Sequence, residues 1–124
     1  MEREVLHTAV KKATTVRYPD EKPPTVPGLH GRVTWVMARC IGCGRCPRVC
    51  PSEAIELQGE PRAPEIIYHL DRCLFCGECM EICPTQAIEM TQMYELATSH
   101  RDALRIHFTR ATPDAPAHVE TETT

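Results

Sequence analysis

RCIGCGRCPRVCP, residues 39–51, returns 33 positions later as RCLFCGECMEICP, residues 72–84. Laying residues 39–57 over 72–90 gives ten identities in nineteen positions, among them four cysteines, the closing proline and an Ala-Ile-Glu triplet. The segment is an internal duplication, and it holds all eight cysteines of the 124-residue chain. Each copy reads C-x2-C-x2-C-x3-C-P: Cys40, Cys43, Cys46, Cys50 and Pro51, then Cys73, Cys76, Cys79, Cys83 and Pro84. With 5% aromatic residues and 11 prolines, little apolar mass is left for a core, so something besides side-chain packing must hold the chain.

Spacing and compartment decide what the cysteines do. A structural zinc site uses two C-x2-C pairs roughly a dozen or more residues apart, which two groups of four close cysteines do not match. Disulfides need an oxidising compartment. The N-terminus MEREVLHTAVKK carries Glu2, Arg3 and Glu4 in place of the apolar run and cleavage site of a secretory signal, which predicts a chain that is not exported. Soft thiolates at two-residue spacings wrap a loop around one face of an iron–sulfur cube. The fourth cysteine then points elsewhere after a short helical turn, and in bacterial two-cluster proteins it serves the other cluster. The expected cofactors are two [4Fe-4S] clusters. Cluster one is assigned to Cys40, Cys43, Cys46 and Cys83, and cluster two to Cys73, Cys76, Cys79 and Cys50.

The neighbouring residues fit that chemistry. Gly44 and Gly77 follow the second cysteine of each motif, where the loop must curl tightly. Ile41, Leu74, Phe75, Val49, Ile82, Ile55 and Ile88 are expected to form an apolar shell that keeps water from the clusters. Pro51 and Pro84 end the short helix of each motif. Eight thiolates and two oxidised cores take the formal charge from -3 to about -7. Arg39, Arg45 and Arg48 flank the first motif and Glu78 and Glu81 the second, which predicts that cluster one is the easier to reduce. AIELQGEPRAPEIIYHL, residues 54–70, reads as a hairpin turning around Gly59, Pro61 and Pro64. The predicted fold is α+β: a bacterial two-[4Fe-4S] ferredoxin with a pseudo-twofold repeat, two short hairpins and small helices. It carries an extended N-terminal arm and a C-terminal extension, and it should not fold without iron.

Other function classes find little support. A charge of -3 and a pI near 6.1 give no basic footprint for nucleic acid. The longest apolar run, VTWVMA at residues 33–38, is far below the ~20 residues that span a bilayer, so membrane contact is expected to be peripheral and indirect. No P-loop or G-x-G-x-x-G is present, and the six histidines show neither metal-ligand spacing nor a serine-acid pattern, so no catalytic residue and no small-molecule substrate are assigned. Residues 1–38 are expected to form an N-terminal helix and a proline-rich docking arm. In the helix Val5, Leu6, Ala9, Val10 and Ala13 share a face, and the arm includes RYPDEKPPTVPGLHGR at residues 17–32. Residues 39–92 are the two-cluster domain, 93–111 a partner-binding extension and 112–124 a disordered tail.

Tyr18-Pro19 with Glu21 and GLHGR at residues 28–32, the two cysteine motifs, and YELATSHRDAL at residues 94–104 together resemble one family. This is the two-cluster subunit of respiratory complex I and its relatives in membrane-bound energy-converting [NiFe] hydrogenases and formate hydrogenlyases. The likeness runs over residues 17–108, with one departure: Leu29-His30 stands where relatives often carry an aromatic residue followed by arginine. The resemblance implies an electron relay between an input module and the subunit beside the quinone or nickel–iron site. It also implies other subunits of a membrane-bound redox complex as partners and a peripheral place on the cytoplasmic face. The alternatives are a freely diffusing two-cluster ferredoxin and a small electron-donating subunit of a soluble enzyme, such as a 2-oxoacid oxidoreductase. The arm and the segment after the second motif argue against the former.

Overall fold

The computed structural model describes residues 7–12, 15–61 and 63–110. The expected disordered tail at 112–124, and Val5, Leu6 and Ala13 of the expected N-terminal helix, lie outside the described residues, while residues 7–10 are helical. Along the chain run β1 (Val33–Trp35), α1 (Arg45–Val49), β2 (Ile55–Glu60), β3 (Ala63–His69), α2 (Glu78–Glu81), β4 (Ile88–Met90), a 3-10 turn (Arg101–Leu104) and β5 (Arg105–Phe108).

Each helix is a single turn or little more, because its sequence sets both ends. α1 begins at Gly44 with φ 68° and α2 at Gly77 with φ 85°, left-handed positions where glycine has no Cβ to clash. Pro47 sits in the first turn of α1, where its missing N–H costs nothing, and Cys50 is extended because Pro51 follows it. β2 and β3 form the expected hairpin, with Ile55 opposite Tyr68 and Glu60 opposite Ala63. The turn is tighter than the glycine and prolines suggested: Pro64 lies within β3, opposite Gly59.

Among the described residues the second copy forms no hairpin of its own. β4 pairs antiparallel with β1, Val33 opposite Met90 and Trp35 opposite Ile88, so the strand partner lies before the first motif. β5, from the expected partner-binding extension, adds to the edge of β3 with Phe108 opposite Ile66. The reason is burial. β3 places Ile66 and Tyr68 inside at 0% exposure, β1 contributes Val33 and Trp35, and Phe108 closes the cluster at 3%. Trp35 lies 5.2 Å from Tyr68 and 5.1 Å from Phe108 between tilted ring centroids, a geometry worth ~0.5–1.5 kcal/mol per pair beyond area burial.

The proline-rich arm crosses the start of the C-terminal extension. Gly31 N–H donates to Thr91 O and Arg32 N–H to Met93 O, each at 2.9 Å, prolonging the β1–β4 ladder. A Cβ at Gly31 would overlap Thr91 O and Met93 O, so only glycine permits this approach. Farther out the arm is held by exposed polar contacts. Tyr18 OH donates to Glu95 at 2.7 Å, Lys22 pairs with Glu95 at 2.8 Å, and Thr25 bonds Gln92 at 2.9 Å.

Candidate metal centre

Two cavities divide the cysteines. The first is lined by Cys40, Cys43 and Cys46 of the first motif together with Cys83 of the second; the second is lined by Cys73, Cys76, Cys79 and Cys50. Among the described residues no three Cys, His, Asp or Glu side chains converge on a single-ion site; the thiols ring their cavities instead.

The two loops follow the same backbone course. Positive φ recurs at the repeat offset: Gly42 and Phe75, Gly44 and Gly77, Glu53 and Gln86. Each fourth cysteine then receives the same hydrogen bond, from Ala54 N–H to Cys50 Sγ and from Ala87 N–H to Cys83 Sγ, both at 3.3 Å. The hydroxyls of Ser52 and Thr85 lie 3.6 and 3.7 Å from the same two sulfurs. Burial alone would raise the ionisation of these two thiols. The hydroxyls and backbone N–H groups outweigh it and hold both below the ordinary range. Cys46 and Cys79 go the other way, pushed up to about 12 and about 11 by burial first and then by the neighbouring thiols. For Cys79 those neighbours include Cys50, across the repeat. Such thiols ionise in place when a strongly positive centre compensates them, as iron does.

Surrounding side chains distinguish the two cavities. Arg45 lines the first and Glu78 the second. Arg39 is engaged by Glu89 at 3.1 Å and by Gln86 O, and Arg48 donates to Gly44 O, so these two arginines are less available to the first cavity than sequence position suggested. The expected apolar shell is only partly closed. Ile55 and Ile88 are buried, whereas Ile41 is 53%, Leu74 65% and Ile82 40% exposed, the first two because they stand at the mouths of the cavities. His30 Nδ1 lies 3.0 Å from Phe75 O, bracing the second loop from the arm.

Two lining residues went unremarked as site residues in the sequence: Trp35 in the first cavity and Tyr68 in the second. They are separated by the same offset of 33, five positions ahead of Cys40 and Cys73, and extending the repeat backwards would have found them. Trp35 Nε1 and Tyr68 OH are both buried with no hydrogen-bond partner among the described residues. Thiol-ringed cavities with orphaned donors in their walls suit a sulfur-rich group.

Residues 39–87, about two fifths of the chain, match the 4Fe-4S dicluster domain family. The chain thus carries a 4Fe-4S dicluster domain, and its eight cysteines fit two [4Fe-4S] clusters. It is similar to NADH-quinone oxidoreductase subunit I 1 of Geobacter sulfurreducens, 41% identical over 51 residues, which are 38% of this chain and 39% of the relative. It is also similar to NADH-quinone oxidoreductase subunit I of Carboxydothermus hydrogenoformans, 38% identical over 47 residues, 38% of this chain and 34% of that one. The aligned region therefore spans two fifths or less of the curated relatives. Among solved structures, a chain of the membrane-bound sulfane sulfur reductase, an archaeal respiratory membrane complex, superposes with a TM-score of 0.66 at 34% identity. That match covers 80% of this chain and 55% of the other, so the likeness reaches beyond the dicluster segment. No helix among the described residues is long and apolar enough to cross a membrane.

Proposed function

We propose that this chain is an electron-relay subunit of a membrane-bound redox complex of the complex I type, seated peripherally on the cytoplasmic face. The observation that carries the reading is the pairing of two thiol-lined cavities with one aromatic cluster between them. Each bound cluster supplies a site that takes up and releases one electron at a time. Cys40, Cys43, Cys46 and Cys83 hold cluster one, and Cys73, Cys76, Cys79 and Cys50 hold cluster two, an exchange of fourth ligands supported by how the cavities divide the thiols. The recurring φ values and the matched bonds to Cys50 and Cys83 support a pseudo-twofold relation between the halves.

The remaining residues insulate and connect. Val33, Ile55, Ile66 and Ile88 keep water from the inner walls. Ile41 and Leu74 offer an apolar contact at each cavity mouth, where an input module and an output subunit can approach. The relatives are named for quinone and sulfane sulfur reactions, which supports a respiratory assembly and leaves the acceptor defined by the neighbouring subunit. Tyr18 and Val26 stay 55% and 61% exposed along the arm. An exposed apolar row on a proline-stiffened segment suits a docking strap, since proline reduces the ordering cost of roughly 1–2 kcal/mol per residue. On this reading residues 1–38 dock through the stretch ahead of β1, 39–92 carry electrons and 93–111 complete the contact with partners through the stretch ahead of β5.

Deleting residues 1–27 tests the assignment, because it spares the Gly31–Thr91 junction. Iron content and cluster spectra should stay unchanged while the protein is lost from the membrane-associated complex and electron flow to its acceptor stops. Normal assembly and turnover by the truncated protein would favour a freely diffusing ferredoxin.

A further inference from the structure

We propose that the Tyr68 hydroxyl donates a hydrogen bond to a sulfur at the second cluster and thereby raises the reduction potential of that cluster alone. The inference rests on the cluster assignment above. Tyr68 is 0% exposed, lines the cavity of Cys50, Cys73, Cys76 and Cys79, and leaves its hydroxyl without a partner of acceptable geometry among the described residues. A buried hydroxyl left unpaired costs ~1–3 kcal/mol, so a donor placed in this way calls for an acceptor. The wall that Tyr68 shares holds four thiols, those of Cys50, Cys73, Cys76 and Cys79.

The opposite cavity supplies an internal control. At the matching repeat position stands Trp35, whose Nε1 is likewise buried and unpartnered but which lines the cavity of Cys40, Cys43, Cys46 and Cys83. Each electron added to a cluster increases negative charge on its sulfurs, so a donor aimed at sulfur stabilises the reduced state more than the oxidised one. Tyr68 acts through sulfur and holds no electron itself; it is a positioning residue.

The test uses the full chain loaded with iron and sulfide under anaerobic conditions, with a redox titration followed by electron paramagnetic resonance. Tyr68→Phe removes one oxygen and keeps the ring. The ratio of reduced to oxidised cluster two at fixed potential should fall about tenfold, a downward shift of about 59 mV for one electron. Cluster one should not move. Global replacement of tyrosine by 3-fluorotyrosine strengthens the donor without changing its place, and should move cluster two upward; the two other tyrosines, Tyr18 and Tyr94, are exposed and line neither cavity. If Tyr68→Phe fails to hold its clusters, the fluorotyrosine protein decides alone. An unmoved cluster two, equal shifts of both clusters, or fluorotyrosine and phenylalanine shifts of the same sign would overturn the hydrogen bond while leaving the two-cluster assignment standing. A single cluster signal in the unsubstituted protein would overturn both.

Discussion

In the first loop the left-handed position after Ile41 is Gly42, φ 65°; at the matching place in the second loop stands Phe75, φ 53°. A Cβ at Gly42 would come within 3.2 Å of Pro64, because the β2–β3 hairpin folds back over this loop. Phe75 helps line the second cavity, and His30 holds its carbonyl. A left-handed non-glycine residue costs of the order of 1–3 kcal/mol, so the second loop keeps its course under strain that the first avoids. The ligand spacing dictates the backbone route in both, whereas charge, hydrogen-bond donors and covering elements are chosen separately for each. Two sites with one ligand pattern can in this way hold electrons at different potentials.

The largest break in this comparison should come from Phe108. It backs Trp35, which walls the first cavity. Phe108→Ala should cost about 3–5 kcal/mol in chemical denaturation of the loaded protein, with cluster one bleaching before cluster two. Simultaneous loss of both at the unsubstituted midpoint would show that the C-terminal strand supports neither cavity.

Charge gives a smaller, signed effect. Arg45→Gln should lower the potential of cluster one and Glu78→Gln should raise that of cluster two, each by the order of 1 kcal/mol or about 40 mV, shrinking in high salt. Shifts of both clusters together in either variant would mean that the field is not local.

Smallest is the clamp between arm and extension, which lies on the exposed surface. Hydrogen bonds from Lys22 first and then Tyr18 hold Glu95 below its ordinary 4.5, and the bond to Glu95 raises Tyr18 and Lys22 above their ordinary 10.0 and 10.5. The depressed carboxyl contributes above 4.5 and is lost as pH falls through its lowered value. The two raised groups contribute below 10.0 and 10.5 and are lost as pH rises through theirs. Nuclear magnetic resonance of the Tyr18 ring should therefore show a plateau between these limits and a change at each end, with the cluster spectra constant throughout the plateau. A Tyr18 ring that titrates at neither end would show the clamp to be unformed in solution.

Much of this was legible in the sequence because ligand chemistry enforces it. The cysteine spacing, Gly44, Gly77 and the prolines predict the short helices, and the hairpin at residues 54–70 follows from its strand and turn residues. What was not legible depends on contacts distant in sequence. β1 is three residues long, too short for alternation to announce it, and gains its place only by pairing with β4 across 55 positions. β5 read as part of a partner-binding segment because its RIHF shows one aromatic side chain, and burial against Trp35 is visible only in three dimensions. In the sequence Trp35 is only part of an apolar run and Tyr68 only a strand residue of the hairpin, since a buried polar tip cannot be recognised before its cavity is seen.

The proposed exchange of the fourth ligands is the feature on which the reading of both half-sites depends, and a reciprocal pair of variants reads it directly. Cys50→Ser and Cys83→Ser, each loaded anaerobically and examined by electron paramagnetic resonance after reduction, should perturb opposite clusters. Cys50→Ser is expected to alter the centre held by Cys73, Cys76 and Cys79, and Cys83→Ser the centre held by Cys40, Cys43 and Cys46, with the other centre close to normal in each. If Cys50→Ser instead removes the centre of the Cys40 loop and Cys83→Ser that of the Cys73 loop, each motif ligates its own cluster and the crossed assignment is wrong.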